Sequence, residues 1–222
     1  MIAAAILGLL LLIGLPVRAL SKRPRAAERS MSERYASTSI EIVALLGGVA
    51  LVFWLTGMSA EDLGLGWPPP LAGQIGLGVA ALIIVGLAVA MLVMPRSNSP
   101  REQQAMAKLP RGRRELRVYL LFSLAAGFGW EVLYRGFLLW WLTPLVGIIG
   151  AVIAASLAYG LAHGWKSRWE GLGSIASAFL FTIGFAVTGS LWWLIAIHTG
   201  LPLIALLAGW RENDGKKEVQ TA

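Results

Sequence analysis

Residues 118–142 read VYLLFSLAAGFGWEVLYRGFLLWWL, twenty-five positions of which only Glu131 and Arg135 carry a formal charge at pH 7. A helix needs about 20 apolar residues to cross roughly 30 Å of hydrocarbon. This stretch has the length and character of a membrane span.

The pattern repeats on both sides, in Ile2–Val17, Ile40–Gly57, Leu71–Met94, Leu145–His163, Leu172–Thr188 and Leu191–Trp210. The sequence therefore predicts an all-α, polytopic transmembrane helix bundle of seven spans. The first run is read as a retained helix, because its positive charges follow the apolar stretch instead of preceding it. Composition agrees: 57% of residues are hydrophobic and only 14% charged, against about 25% charged in soluble domains. A water-soluble globule and a disordered chain are excluded. The absence of Cys removes disulfides, thiol nucleophiles and thiolate metal ligands. Three parts are expected: three N-terminal helices with basic loops over 1–115, a four-helix core over 116–210, and a polar, disordered cytoplasmic tail over 211–222.

The net charge of +7 raises nucleic acid as a partner, but its distribution argues for orientation instead. Eighteen of the 19 Lys and Arg fall in alternate connections or the tail, and the opposite loops carry Glu61 and Asp62 but no basic residue. Positive charge marks the cytoplasmic side, which puts the amino terminus outside and the carboxyl terminus inside. Indole prefers the headgroup level. Trp54, Trp67, Trp140, Trp141, Trp192 and Trp193 fall at the outer boundary, and Trp165, Trp169 and Trp210 at the inner one; Trp130 lies deep. The expected partners are membrane lipid and a membrane-associated substrate, with no nucleic acid. Ser97–Arg117 reads as an inner loop or a helix on the membrane surface.

The nineteenth basic residue, Arg135, lies inside the fourth span with Glu131 four positions earlier, a spacing that puts both on one helix face. Ionisable groups at membrane depth are costly and are functional candidates by default. The plain alternative is an ion pair that fixes helix packing. Both histidines, His163 and His198, also lie in or at the end of spans. A carboxylate and imidazoles can activate water and stabilise an oxyanion. The same Glu131, His163 and His198 could instead hold zinc, although no HExxH motif supports it, and no cofactor is expected. Helix arithmetic puts Glu131 roughly 21 Å from Arg117, whereas His163 falls near the inner edge. Those depths agree only if the fourth helix begins nearer Leu121, breaks at Gly127 or Gly129, or if the fifth runs on towards Trp169.

Three segments carry a resemblance: Trp130-Glu-Val-Leu-Tyr-Arg-Gly-Phe-Leu138, Tyr159-Gly-Leu-Ala-His163, and Thr188-Gly-Ser-Leu-Trp192 leading to His198. In order and context they resemble the EExxxR, FxxxH and HxxxN/D motifs of the CPBP intramembrane proteases, which include CAAX prenyl endopeptidases and Abi or bacteriocin-processing proteins. The resemblance covers roughly Leu116 to Ala208. It implies a membrane-embedded endopeptidase acting on a peptide or lipidated protein, with Glu131 and His163 activating water, His198 stabilising the oxyanion and Arg135 holding Glu131. It also suggests a prokaryotic plasma membrane. Two positions depart from the pattern. Trp130 stands where the family has its first Glu, and Pro202 where it has Asn or Asp. The rival readings are a catalytically inactive relative serving as a bacteriocin immunity factor or scaffold, favoured if Trp130 fills the space beside Glu131, and, third, a transporter.

Overall fold

Helix starts and stops follow local chemistry. In the computed structural model, which describes residues 2–21, 30–93, 106, 109–110, 112–164 and 167–220 with side chains to 206, seven helical segments succeed one another. They are α1 (Ile2–Ser21), α2 (Met31–Thr56), α3 (Leu71–Val93), α4 (Arg113–Trp130, continuing as a π-helix over Glu131–Leu138), α5 (Leu139–Ala162), α6 (Arg168–Thr188) and α7 (Trp192–Gln220). The described residues form no strand, so the all-α bundle is what the sequence predicts.

Several helices outrun their apolar cores, and caps explain why. Ser30 and Glu33 form a capping box, the Ser30 hydroxyl accepting from Glu33 N–H and the Glu33 carboxylate from Ser30 N–H at 2.8 Å. This reciprocal pairing satisfies two N–H groups that a helix start leaves free. Helix α2 accordingly begins nine residues before Ile40. Ser167 caps α6 with a single bond, its hydroxyl accepting from Glu170 N–H at 3.2 Å. At the other ends, Gly57 (φ 70°) and Gly189 (φ 61°) adopt the left-handed conformation that stops α2 and α6. Two expectations are corrected. The last helix continues to Gln220 instead of giving way to a disordered tail. Arg113–Arg117 form the first turns of α4, while most of Ser97–Arg117 lies outside the described residues, as do residues 22–29, Trp165 and Lys166.

The break that positions the site is Gly147, whose φ of 70° and ψ of 167° interrupt α5 three residues after Pro144. The two arms on either side run back along one another. Tyr134 and Tyr159 meet at a ring-centroid distance of 5.0 Å, and the Arg135 guanidinium lies 4.5 Å from the Tyr159 ring centre. Residues 135 and 159 are each twelve positions from Gly147, and residues 131 and 163 are each sixteen. Glu131 and His163 therefore lie at one level, roughly 24 Å along the helices from the turn at 1.5 Å per residue. None of the three adjustments expected from sequence is used: α4 begins at Arg113, continues helical through Gly127 and Gly129, and α5 stops at Ala162.

Helix α4 is central. It packs against α2 and α7, and its π-helical half lies against α5; α6 packs on α5, and α3 on α7. Small residues allow close approach, as expected where lipid supplies no hydrophobic drive between helices. A Cβ on Gly160 would stand 2.8 Å from Ile175 Cα, and one on Gly127 2.8 Å from Thr199 N. Helix α3 buries only Gly73 and Ala80 and leaves Leu82, Val85 and Leu92 exposed. An apolar helix with so bare a surface belongs in lipid. Among the described residues five helices, one of them the continuous run Arg113–Ala162 that comprises α4 and α5, are long and apolar enough to cross a membrane, and the chain is an integral membrane protein.

Candidate active site

Glu131 opens the π-helical stretch Glu131–Leu138, all eight residues of which are buried. Wider π turns are rare and concentrate at functional sites. The carboxylate is engaged on both oxygens. Oε2 accepts from an Arg135 terminal nitrogen at 2.7 Å, and Oε1 faces Nδ1 of His198 at 2.8 Å. Glu131 is 2% exposed and Arg135 1%, whereas the His198 side chain is 30% exposed. Two charges this deeply buried persist only when paired and hydrogen-bonded.

Arg135 is further held by aromatic faces, with its guanidinium 4.5 Å from the Tyr159 centroid and 5.8 Å from that of Phe181 on α6. Cation–π contacts of this kind strengthen when water is excluded. Its Nε finds no acceptor among the described residues. Tyr159 links the cluster to His163. The two rings meet edge to face at 4.4 Å, and His163 Nδ1 donates to the Tyr159 carbonyl at 3.0 Å. His163 is exposed at the end of α5 and lies within electrostatic range of Glu131, Arg135 and His198.

The helices thus bring Glu131, Arg135 and His198 into direct contact and set His163 beside them through Tyr159. Trp130 does not come between Glu131 and His198. Its ring packs towards Tyr134 at 6.0 Å, as expected for helix neighbours that diverge by about 100°. Pro202 has no N–H, and its carbonyl accepts from the Tyr119 hydroxyl at 3.0 Å. Sequence reading missed the aromatic support. Tyr134 and Phe181 carry no sequence signal beyond apolarity, and Tyr159 was legible only as the residue four before His163. No group of three or more His, Cys, Asp or Glu among the described residues is arranged to hold a metal ion.

Chemically, the site offers a sealed carboxylate–guanidinium pair, a partly exposed imidazole bonded to the carboxylate and a second, exposed imidazole held by a backbone carbonyl. No curated protein and no solved structure matches the chain. Residues 113–204, which hold every group of this site, match the family model described as type II CAAX prenyl endopeptidase, Rce1-like. That segment is similar to the Rce1-like, type II CAAX prenyl endopeptidase family, which supports the resemblance to the CPBP proteins.

Proposed function

We propose that this protein is an intramembrane endopeptidase that hydrolyses a peptide bond in a membrane-associated substrate, with a prenylated CAAX-type carboxyl terminus as the favoured class. The observation that supports it best is the direct contact of Glu131 with His198, inside lipid-facing helices and within the family segment. A buried charged pair beside two imidazoles suits hydrolysis, since one group must take a proton from water and another region must carry the charge that develops on the carbonyl oxygen. Arg135 serves by holding and balancing Glu131.

The test is cleavage of a prenylated peptide by the full chain in proteoliposomes. Glu131→Gln and His163→Ala are each expected to abolish cleavage while the protein still inserts and expresses. If both variants cleave at the wild-type rate, the reading is wrong.

A further inference from the structure

We infer that His198, oriented by Glu131, is the group that takes the proton from the attacking water, and that Glu131 itself is not. The assignment rests on the hydrolytic reading above and follows from which atoms are free. Both Glu131 oxygens are already engaged, and its side chain is 2% exposed. The imidazole of His198 is the more open of the two groups, 30% exposed against 2% for the carboxylate.

Tautomers follow from the partners. An ionised carboxylate paired with Arg135 only accepts, so the Nδ1 of His198 that faces it carries the hydrogen. In the neutral imidazole the lone pair then lies on Nε2. The Tyr159 carbonyl likewise accepts only, so His163 also carries its hydrogen on Nδ1 and a lone pair on Nε2. Among the described residues, only His198 of the two imidazoles has a carboxylate in contact to stabilise the imidazolium that forms. This is the role a buried carboxylate plays beside the histidine of a hydrolase triad.

The step balances as follows. His198 Nε2 takes a proton from water while the water oxygen bonds to the scissile carbonyl carbon, and the carbonyl π pair moves onto oxygen. As that oxygen reforms its double bond, the C–N bond breaks and the imidazolium returns its proton to the departing nitrogen, leaving a carboxylic acid and an amine. Among the described residues, the titratable groups set against His198 are Glu131 from α4, in direct contact, and His163 from α5, within electrostatic range.

Two histidines in the whole chain make the test direct. Wild-type protein labelled with ¹⁵N-histidine in micelles is expected to show both rings as the Nδ1–H tautomer at the pH of maximal cleavage. His198→Ala is expected to lose cleavage by at least about 10³-fold, consistent with loss of a general base, and to regain part of it with added imidazole, in proportion to the unprotonated fraction as pH rises. A cleaving wild type whose His198 is protonated on Nε2, or a rescue that instead follows imidazolium and falls with pH, overturns the assignment and leaves the hydrolytic reading intact. A wild type that cleaves no prenylated peptide overturns both. The labelling arm decides even if His198→Ala fails to fold.

Discussion

Tyr134 and Leu11 meet across 123 positions of sequence, the buried phenol donating to the Leu11 carbonyl at 3.3 Å. The reason lies in α1, whose Leu10–Gly14 stretch is π-helical, with Leu15 N–H reaching back to the Leu10 carbonyl. In that register Leu11 would be served by the N–H of residue 16, which is Pro16 and has none. Tyr134 fills the gap, and its ring then leans on Tyr159, the residue that supports Arg135. The first helix, outside the family segment, is thereby tied to the site. Tyr134→Phe is expected to cost about 1–3 kcal/mol, the desolvation cost of a bare buried carbonyl, read by thermal unfolding in micelles. In a Pro16→Ala background the restored N–H reduces that cost, giving a double-mutant coupling of at least about 0.5 kcal/mol. Additive losses would show the two residues to be unlinked.

Gly127 sets the distance between α4 and α7. A Cβ there would come within 2.8 Å of Thr199 N and 2.9 Å of Thr199 Cα, both backbone atoms that cannot rotate away. Thr199 follows His198, so Gly127→Ala pushes His198 off Glu131. We expect cleavage to fall at least about 10²-fold, in line with the cost of a 1 Å misplacement of a catalytic group. Gly86→Ala, with open space around its added methyl, is the control and keeps full activity. Equal activity in both variants would mean that the contact between α4 and α7 does not position the histidine.

Much of this was legible in the sequence because lipid imposes one strong rule: backbone polar groups must be satisfied within the span, which makes long apolar runs helical. Glu131, Arg135, His163 and His198 stood out for the same reason, as polar residues where polarity is expensive. What stayed hidden depends on relations between helices. The matching of Glu131 and His163 about Gly147 follows from one residue's φ, and sequence spacing along a presumed straight helix gave conflicting depths. Tyr134 and Phe181 read as ordinary apolar filling, since nothing in their neighbours reveals that one meets an orphaned carbonyl and the other a guanidinium.

Pro202 gives the third prediction. It lies four residues after His198 on the same face of α7, where the family motif carries Asn or Asp, and lacking an N–H it leaves the His198 carbonyl without its usual helical partner. Tyr119 pins this turn through the Pro202 carbonyl, a bond that a change of side chain leaves in place. Pro202→Asn restores the N–H and adds an amide donor one turn from His198. Since one oxyanion donor is worth about 10²–10³ in rate, kcat is expected to rise by at least about tenfold, measured on the same prenylated peptide. An unchanged or lower kcat in a folded variant would show that no oxyanion forms within reach of position 202.

The buried pair itself allows stability and chemistry to be separated. Removing one member of a buried ion pair strands the other and typically costs about 3–5 kcal/mol, while replacing both by apolar side chains of similar volume is often neutral. Arg135→Met leaves Glu131, 2% exposed, with only His198 for company, and is expected to lower stability by that amount in micelles. Adding Glu131→Leu removes the stranded charge and recovers most of the loss. Cleavage is expected to stay abolished in the recovered double variant, because His198 then has no carboxylate to fix its tautomer or stabilise its imidazolium. Should the double variant cleave like wild type, the pair serves helix packing alone and the chemistry lies elsewhere. A stable but inert protein instead shows that these charges are kept in the membrane for catalysis, at a cost that packing alone does not require.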